Sequence, residues 1–198
     1  GLCGAQLFGN DPAVMAEAAA LALEESRADF IDLNMGCPMP KIVGNGDGCA
    51  LMRDEALAAR IVEAVCGAVS VPVTVKMRTG WDKGSVNCVS LAQAVEAAGA
   101  SAVTVHGRTK TMLYSGVADW DAIRAVVEAV KIPVVANGDV FDETAALRCK
   151  ARTSAAGYMI GRAAFGDPWI FQRVQAALRG EAVPERLPLD ARMDTALR

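Results

Sequence analysis

Short apolar runs and amphipathic stretches take turns along almost the whole chain. The apolar runs are residues 5–8, 30–34, 71–76, 102–106, 132–136 and 157–160. Each is brief and rich in aliphatic or β-branched side chains, which predicts a buried strand. Between them the spacing turns helical. Residues 12–27 carry Val14, Ala18, Leu21 and Ala22 on one expected face, and the next stripe is Leu57, Ile61 and Val65. Further helices are predicted over 91–98, 120–130, 143–150 and 168–178, with another from about 190. Asp11 followed by Pro12, Asp54 and Asp142 stand where helix N-caps and a first-turn proline belong.

Strands separated by helices imply a parallel sheet. Every predicted strand closes on polar or glycine residues: Gln6, Asn34 to Cys37, Lys76 to Arg78, His106 to Arg108, Asn137-Gly138-Asp139, and Gly161-Arg162. Polar clusters at the carboxyl end of each strand are the mark of a (β/α)8 TIM barrel. A doubly wound sheet binds at one switch point instead, and no G-x-G-x-x-G opens a helix here. A barrel needs eight strands and about 250 residues. The expectation is therefore an α/β chain forming an incomplete barrel, strands three to eight, with two strands missing ahead of residue 1. On that count the last two strands are seven and eight, whose loops often hold a phosphate. Exposed N–H groups at Gly138 and Gly161 with the Arg162 guanidinium suit a phosphate monoester. Ordinary turn glycines are the other reading.

Composition narrows the class further. With 53% hydrophobic and 22% charged residues in 198, the chain can build a core. No uninterrupted apolar run approaches a membrane span. There is no basic, leader-like start, and the opening Gly1-Leu2-Cys3 without a Met reads as a fragment or processed product. Six cysteines without a C-x-x-C pair, and a single His106, argue against a zinc cluster, so no metal is expected. Scattered thiols fit a reducing cytoplasm. A net charge of −3 means that RNA contact would need a local basic patch.

Asn34-Met35-Gly36-Cys37-Pro38 brings a thiol to the mouth of a strand, and Pro38 stops the ladder. The glycine-rich residues 44–48 read as a flexible binding loop. Cys37 there is either a small packing hydrophobe or a chemical group. Lys76 is either a snorkelling cation or a charge aimed at a ligand. His106 is either a core imidazole or a ligand contact.

Six stretches together resemble the tRNA-dihydrouridine synthases, flavin enzymes on a TIM barrel, and most closely their bacterial B-type branch. They are QLFGNDP (6–12), IDLNMGCPMPKIVGNGDGCALM (31–52), TVKMRTGW (74–81), VTVHGRTKTMLYSGVADW (103–120), VVANGDV (134–140) and MIGRAAFGDPWIF (159–171). The resemblance implies FMN across the barrel mouth, NADPH as electron donor, tRNA as substrate, and a cytoplasmic protein that is monomeric when full length. It places Gln6 and Lys76 at the flavin ring, and His106, Asn137, Gly138, Asp139, Gly161 and Arg162 along the ribityl and phosphate side. It puts Asn34 at the uracil edge, Arg78 and Arg108 near substrate, and Lys41, Arg108 and Lys110 on RNA phosphates. It also divides the chain into a catalytic part, 1–166, and a part, 167–198, holding the final barrel helix and the start of a helical RNA-binding domain.

Reducing the 5,6 bond of uracil takes a hydride at C6 and a proton at C5. The resemblance assigns the first to reduced FMN and the second to Cys37. A cysteine's ordinary pKa of about 8.5 leaves the thiol protonated at neutral pH, so it serves as an acid without tuning. A nucleophilic cysteine wants a lowered pKa and a histidine, and His106 sits two strands away. The target base must be extruded from folded RNA. Departures from the family pattern include Cys49 where Ser or Ala is usual, Ser154 and Ala156 in place of Gly and Asp, and no P-M-A-G loop. Competing readings are a small-molecule flavin enzyme of the dihydroorotate or dihydropyrimidine dehydrogenase type, from whose loop Gly36 and Met39 depart, and a non-catalytic RNA-binding remnant.

Overall fold

The computed structural model describes residues 1–196. Its strands are β1 (Gly4–Leu7), β2 (Phe30–Met35), β3 (Val73–Arg78), β4 (Ala102–His106), β5 (Val134–Asn137) and β6 (Gly157–Met159). They form one parallel sheet in chain order, each strand paired with the next. This order has no reversal, so the switch point of a doubly wound sheet is lacking. The helices are α1 (Pro12–Ser26), α2 (Pro40–Gly44), α3 (Glu55–Ala68), α4 (Cys88–Ala97), α5 (Trp120–Ala129), α6 (Glu143–Thr153), α7 (Ile170–Arg179) and α8 (Leu189–Ala196). Apart from the short α2, consecutive helices from α1 to α7 pack side by side and make a layer over the sheet. β1 and β6 are the sheet's two edges.

The strands are buried on the helical face and polar on the other, because side chains alternate along a strand. Ile31, Leu33, Met35, Val75, Met77, Val103 and Val105 are buried and pack with Ile61, Val65, Leu91, Val95, Ile123 and Val126 from the helices. The intervening positions stand in cross-strand rows: Gln6 beside Asp32 beside Thr74, then Asn34 beside Lys76 beside Thr104, then Arg78 beside His106 beside Asn137. The polar side chains are thereby stacked on one face of the sheet.

Local chemistry explains most boundaries. Asp11 accepts from the N–H groups of Ala13 and Val14, Asp54 from Leu57, and Asp142 from Ala145, as the caps predict. β3 and β5 start later than expected because Pro72 and Pro133, lacking N–H groups, stand just ahead of them. Two expectations need correction. α1 buries Met15 and Ala19, whereas Val14 and Leu21 are 61% and 54% exposed. That helix is apolar almost all round, so periodicity alone could not choose its face. Residues 44–48 are also not a loose loop. α2 ends there, and a 3-10 turn over Gly48–Arg53 buries Cys49, Leu51 and Met52. Ser154 closes α6 in the left-handed conformation at φ 54°.

Candidate active site

The turn after β2 is shaped by Asn34. Its Oδ1 accepts from the N–H groups of Gly36 (3.1 Å) and Cys37 (2.9 Å), folding the chain back over the strand end. Cys37 is half-buried, and its carbonyl accepts from the N–H of Cys49 at 3.0 Å. Gly48 makes that contact possible. It lies at φ +58°, and a Cβ there would stand 2.8 Å from the Cys37 oxygen. Cys49 itself is wholly buried, and burial pushes its thiol up to about 12. Of the two neighbouring thiols, only Cys37 lines the cavity.

Behind this turn runs a polar relay. Asn34 Nδ2 donates to Gln6 Oε1 (3.0 Å), Gln6 Nε2 donates to Asp32 (2.6 Å), and the Thr74 hydroxyl donates to the other Asp32 oxygen (2.6 Å). Burial raises the Asp32 carboxyl above its ordinary range, against the bonds from Thr74 and Gln6 and the nearby Lys76 cation. Lys76 is pushed down to about 8, first by burial and then by Arg78, with Asp32 opposing. His106 is pushed down to about 3 by burial and by Lys76, Arg78 and Arg108, so it is a neutral imidazole at physiological pH. Its Nδ1 is buried without a hydrogen-bond partner.

The loop between β4 and α5 is held by the two arginines expected near substrate. Arg78 is 3% exposed, and its guanidinium donates to the carbonyls of Gly36, Thr109 and Leu113. It lines the cavity, with Nε and Nη1 bound to backbone and no hydrogen bond at Nη2 among the described residues. Arg108 is 2% exposed and donates to Ser115 and Gly116 and to the Asp139 carboxylate. It lies beside a neighbouring cleft and not in the cavity that holds Cys37. A long irregular loop over a sheet end must satisfy its inward carbonyls, and buried guanidinium groups with five N–H donors do so. Of the cations expected on RNA phosphates, Arg108 is buried, Lys41 is exposed on α2, and Lys110 lies 4.6 Å over Trp81.

The same loop positions the end of β5. Asp139 accepts from the Ala118 N–H at 2.7 Å, and the Trp120 indole N–H donates to the Gly138 carbonyl at 3.0 Å. Gly138 and Asp139 both have positive φ, and a Cβ on Gly138 would stand 2.9 Å from Ala118. Ala118 and Trp120, at the end of the 103–120 stretch, thus shape the turn beside His106. The Asn137 amide donates to the Met159 carbonyl across to β6. Arg162 follows on a short 3-10 turn, 46% exposed, stacked over Tyr114 (5.0 Å) and Phe141 (5.5 Å).

A cavity of about 710 Å³ at the carboxyl ends of the strands joins these residues. It is lined by Gln6, Asn34, Cys37, Lys76, Arg78, His106, Asn137, Gly138, Asp139, Gly161 and Arg162, along with Tyr114 and Phe141. Of the expected site residues, only Arg108 falls outside it. Sequence reading missed Asp32, Tyr114 and Phe141. Asp32 occupies the alternate position before Asn34, a signal that strand periodicity carries. Among the described residues, no cluster of His, Cys, Asp or Glu is arranged to hold a metal ion, and no helix is long and apolar enough to cross a membrane.

A singly wound parallel α/β domain with a polar cavity at its strand ends is the class defined so far. The fold recurs at low identity in a mandelate racemase/muconate lactonizing family protein from Azoarcus sp. EbN1. That match has TM-score 0.62 and 19% identity, over 92% of this chain and 42% of that one. It recurs also in a dipeptide epimerase from Enterococcus faecalis, with TM-score 0.56 and 17% identity, over 79% of this chain and 39% of that one. Sequence is more specific. The dihydrouridine synthase (Dus) family model matches residues 2–197, and the chain belongs to that family. It is 49% identical to a probable tRNA-dihydrouridine synthase of Rhodobacter capsulatus, over 91% of this chain and 55% of that protein. It is 46% identical to tRNA-dihydrouridine synthase B of Vibrio cholerae, over 100% of this chain and 61% of that protein. The chain thus spans little more than half the length of the curated relatives it matches.

Proposed function

We propose that this chain is the greater part of an FMN-dependent enzyme that reduces the 5,6 double bond of uridines in tRNA. One observation carries the reading: Cys37, the Gln6–Asn34 amides, Lys76 and Arg162 share a single cavity of ligand size with His106, whose buried Nδ1 lacks a partner. An unpaired buried acceptor or donor is costly, so a polar ligand atom there fits. Lys76 and Arg162 fit an anionic ligand: the Lys76 ammonium has no hydrogen bond or ion pair among the described residues, and Arg162 has only a long contact of 3.8 Å with Asp139.

FMN held in this cavity would, once reduced by NADPH, supply the hydride for C6 of the base. The rest falls to the protein. Gln6 and Lys76 hold the ring end, and Lys76, cationic below about pH 8, offsets negative charge that gathers on a reduced ring. His106, Asn137, Gly138, Gly161 and Arg162 line the ribityl and phosphate side. Asp139 acts one step back by holding Arg108 and the Ala118 N–H. Asn34 keeps the Cys37 turn closed and has one amide hydrogen left for the base edge. Cys37 gives its proton to C5 and is reprotonated from solvent, so the base gains two hydrogens.

Two further strands closing the barrel between β6 and β1, residues 167–198 holding the final barrel helix and the beginning of a helical RNA-binding domain, and a cytoplasmic protein that is monomeric when full length complete the proposal. The test uses a chain extended to the length of its relatives. Cys37→Ala should keep FMN and be reduced by NADPH normally, while dihydrouridine formation falls by roughly 10²–10⁴, the worth of a positioned acid. Flavin reoxidation by tRNA, followed by stopped flow, reads this. Reoxidation of Cys37→Ala as fast as the parent, or an extended chain that gains no flavin absorbance with excess FMN, sinks the reading.

A further inference from the structure

We propose that Asp32 is a positioning residue that, together with the backbone N–H groups at the far end, fixes the direction of the hydrogen-bond relay ending at Cys37. An ionised carboxylate only accepts hydrogen bonds, and a backbone N–H only donates. Asp32 stands at one end of the relay and the N–H groups of Gly36 and Cys37 at the other. Between them are two amides, each of which could face either way. Asp32 demands the NH₂ of Gln6, which turns Gln6 Oε1 to Asn34. Gln6 Oε1 then demands the NH₂ of Asn34, which leaves Asn34 Oδ1 for the two backbone N–H groups. Both ends require the same orientation, so neither amide has a competing state. Each amide nitrogen retains a second hydrogen, and Gln6 and Asn34 both line the cavity. Asp32 therefore commits this part of the cavity wall to donate, and the ligand edge that meets it must carry acceptors such as ring carbonyls. This last point rests on the flavin reading above, whereas the relay itself does not.

Reversing the polarity of one link tests the relay. Gln6→Glu sets a second acceptor against Asp32, so the relay breaks and the Cys37 turn loosens. Adding Asp32→Asn restores a donor at that link, since the introduced amide can give its NH₂ to the new carboxylate while keeping an oxygen for the Thr74 hydroxyl. The readout is the rate at which iodoacetamide alkylates Cys37 in ligand-free protein, followed by peptide mass spectrometry. Losing about one hydrogen bond's worth of turn stability should change that rate roughly fivefold in Gln6→Glu. The double variant should return to within about twofold of the parent. Asp32→Asn alone should stay near the parent, because the Thr74 hydroxyl can turn round and accept. Gln6→Met, without any polar group, must not be rescued by Asp32→Asn, and it serves if the charged variant does not fold. A double variant no closer to the parent than Gln6→Glu, or rescue of Gln6→Met, overturns the relay. In a flavin fluorescence titration the double variant should bind FMN roughly tenfold more weakly than the parent, since the donor at position 6 is gone. Equal binding overturns the donor assignment. If the parent sequence extended to the length of its relatives binds no FMN, the cofactor reading is overturned, while alkylation still decides the relay.

Discussion

Acid should destabilise this chain through His106. Its imidazole sits near pH 3 in the fold against an ordinary 6.5, because burial and the Lys76, Arg78 and Arg108 cations all disfavour a further positive charge. Below pH 6.5 the unfolded chain takes up a proton that the folded chain refuses. The stabilisation is therefore whole above 6.5 and is lost as pH falls toward 3. Each pH unit in that window costs about 1.4 kcal/mol, so going from about pH 7.5 to about pH 5 costs about 2 kcal/mol. At pH 5 the folded imidazole is still unprotonated, two units above its own titration. Asp32 works the other way: its raised carboxyl holds a proton more tightly in the fold, which adds stability as pH falls. A comparison with His106→Gln isolates the histidine. Urea unfolding followed by tryptophan fluorescence at both pH values should show the parent losing about 2 kcal/mol more than the variant. Losses that agree within about 0.5 kcal/mol, or a larger loss in the variant, would refute the account of His106 as a buried neutral base.

Gly48→Ala should cost about 2–4 kcal/mol, combining left-handed backbone strain with displacement of the Cys37 carbonyl from the Cys49 N–H. Denaturant midpoints measure it, and a neutral result would show that the two turns are not braced at that point. Arg162→Ala should weaken FMN in the extended chain by about 1.5–3 kcal/mol, the worth of a charge-assisted phosphate contact. Unchanged affinity in a fluorescence titration would remove Arg162 from the phosphate end. Arg108→Met should destabilise the fold by about 3–5 kcal/mol, because it removes the short ion pair of Asp139, leaving only the Ala118 N–H and the longer Arg162 contact, and unpairs two loop carbonyls. A variant as stable as the parent that fails only with tRNA would return Arg108 to substrate contact.

The strand–helix order, the caps at Asp11, Asp54 and Asp142, and the polar strand ends were legible along the chain because each is set within a few residues. Strand polarity has a period of two, and helix starts depend on one side chain and the next turn, so no distant contact is needed to see them. Most of the cavity wall followed, since a parallel sheet wound in order brings all its carboxyl ends to one side. What the tertiary structure alone decided is which residue meets which. The burial of α1 on Met15 and Ala19 depends on α3 being its neighbour, and an all-round apolar helix carries no record of that. Nothing local in the sequence shows that Arg78 and Arg108 bind backbone carbonyls up to 42 positions away. Asp32 joins Gln6 and Thr74 only because three strands lie in one register, 26 and 42 positions apart along the chain. A hydrogen bond across strands depends on register, and register is a property of the packed sheet that no local pattern contains.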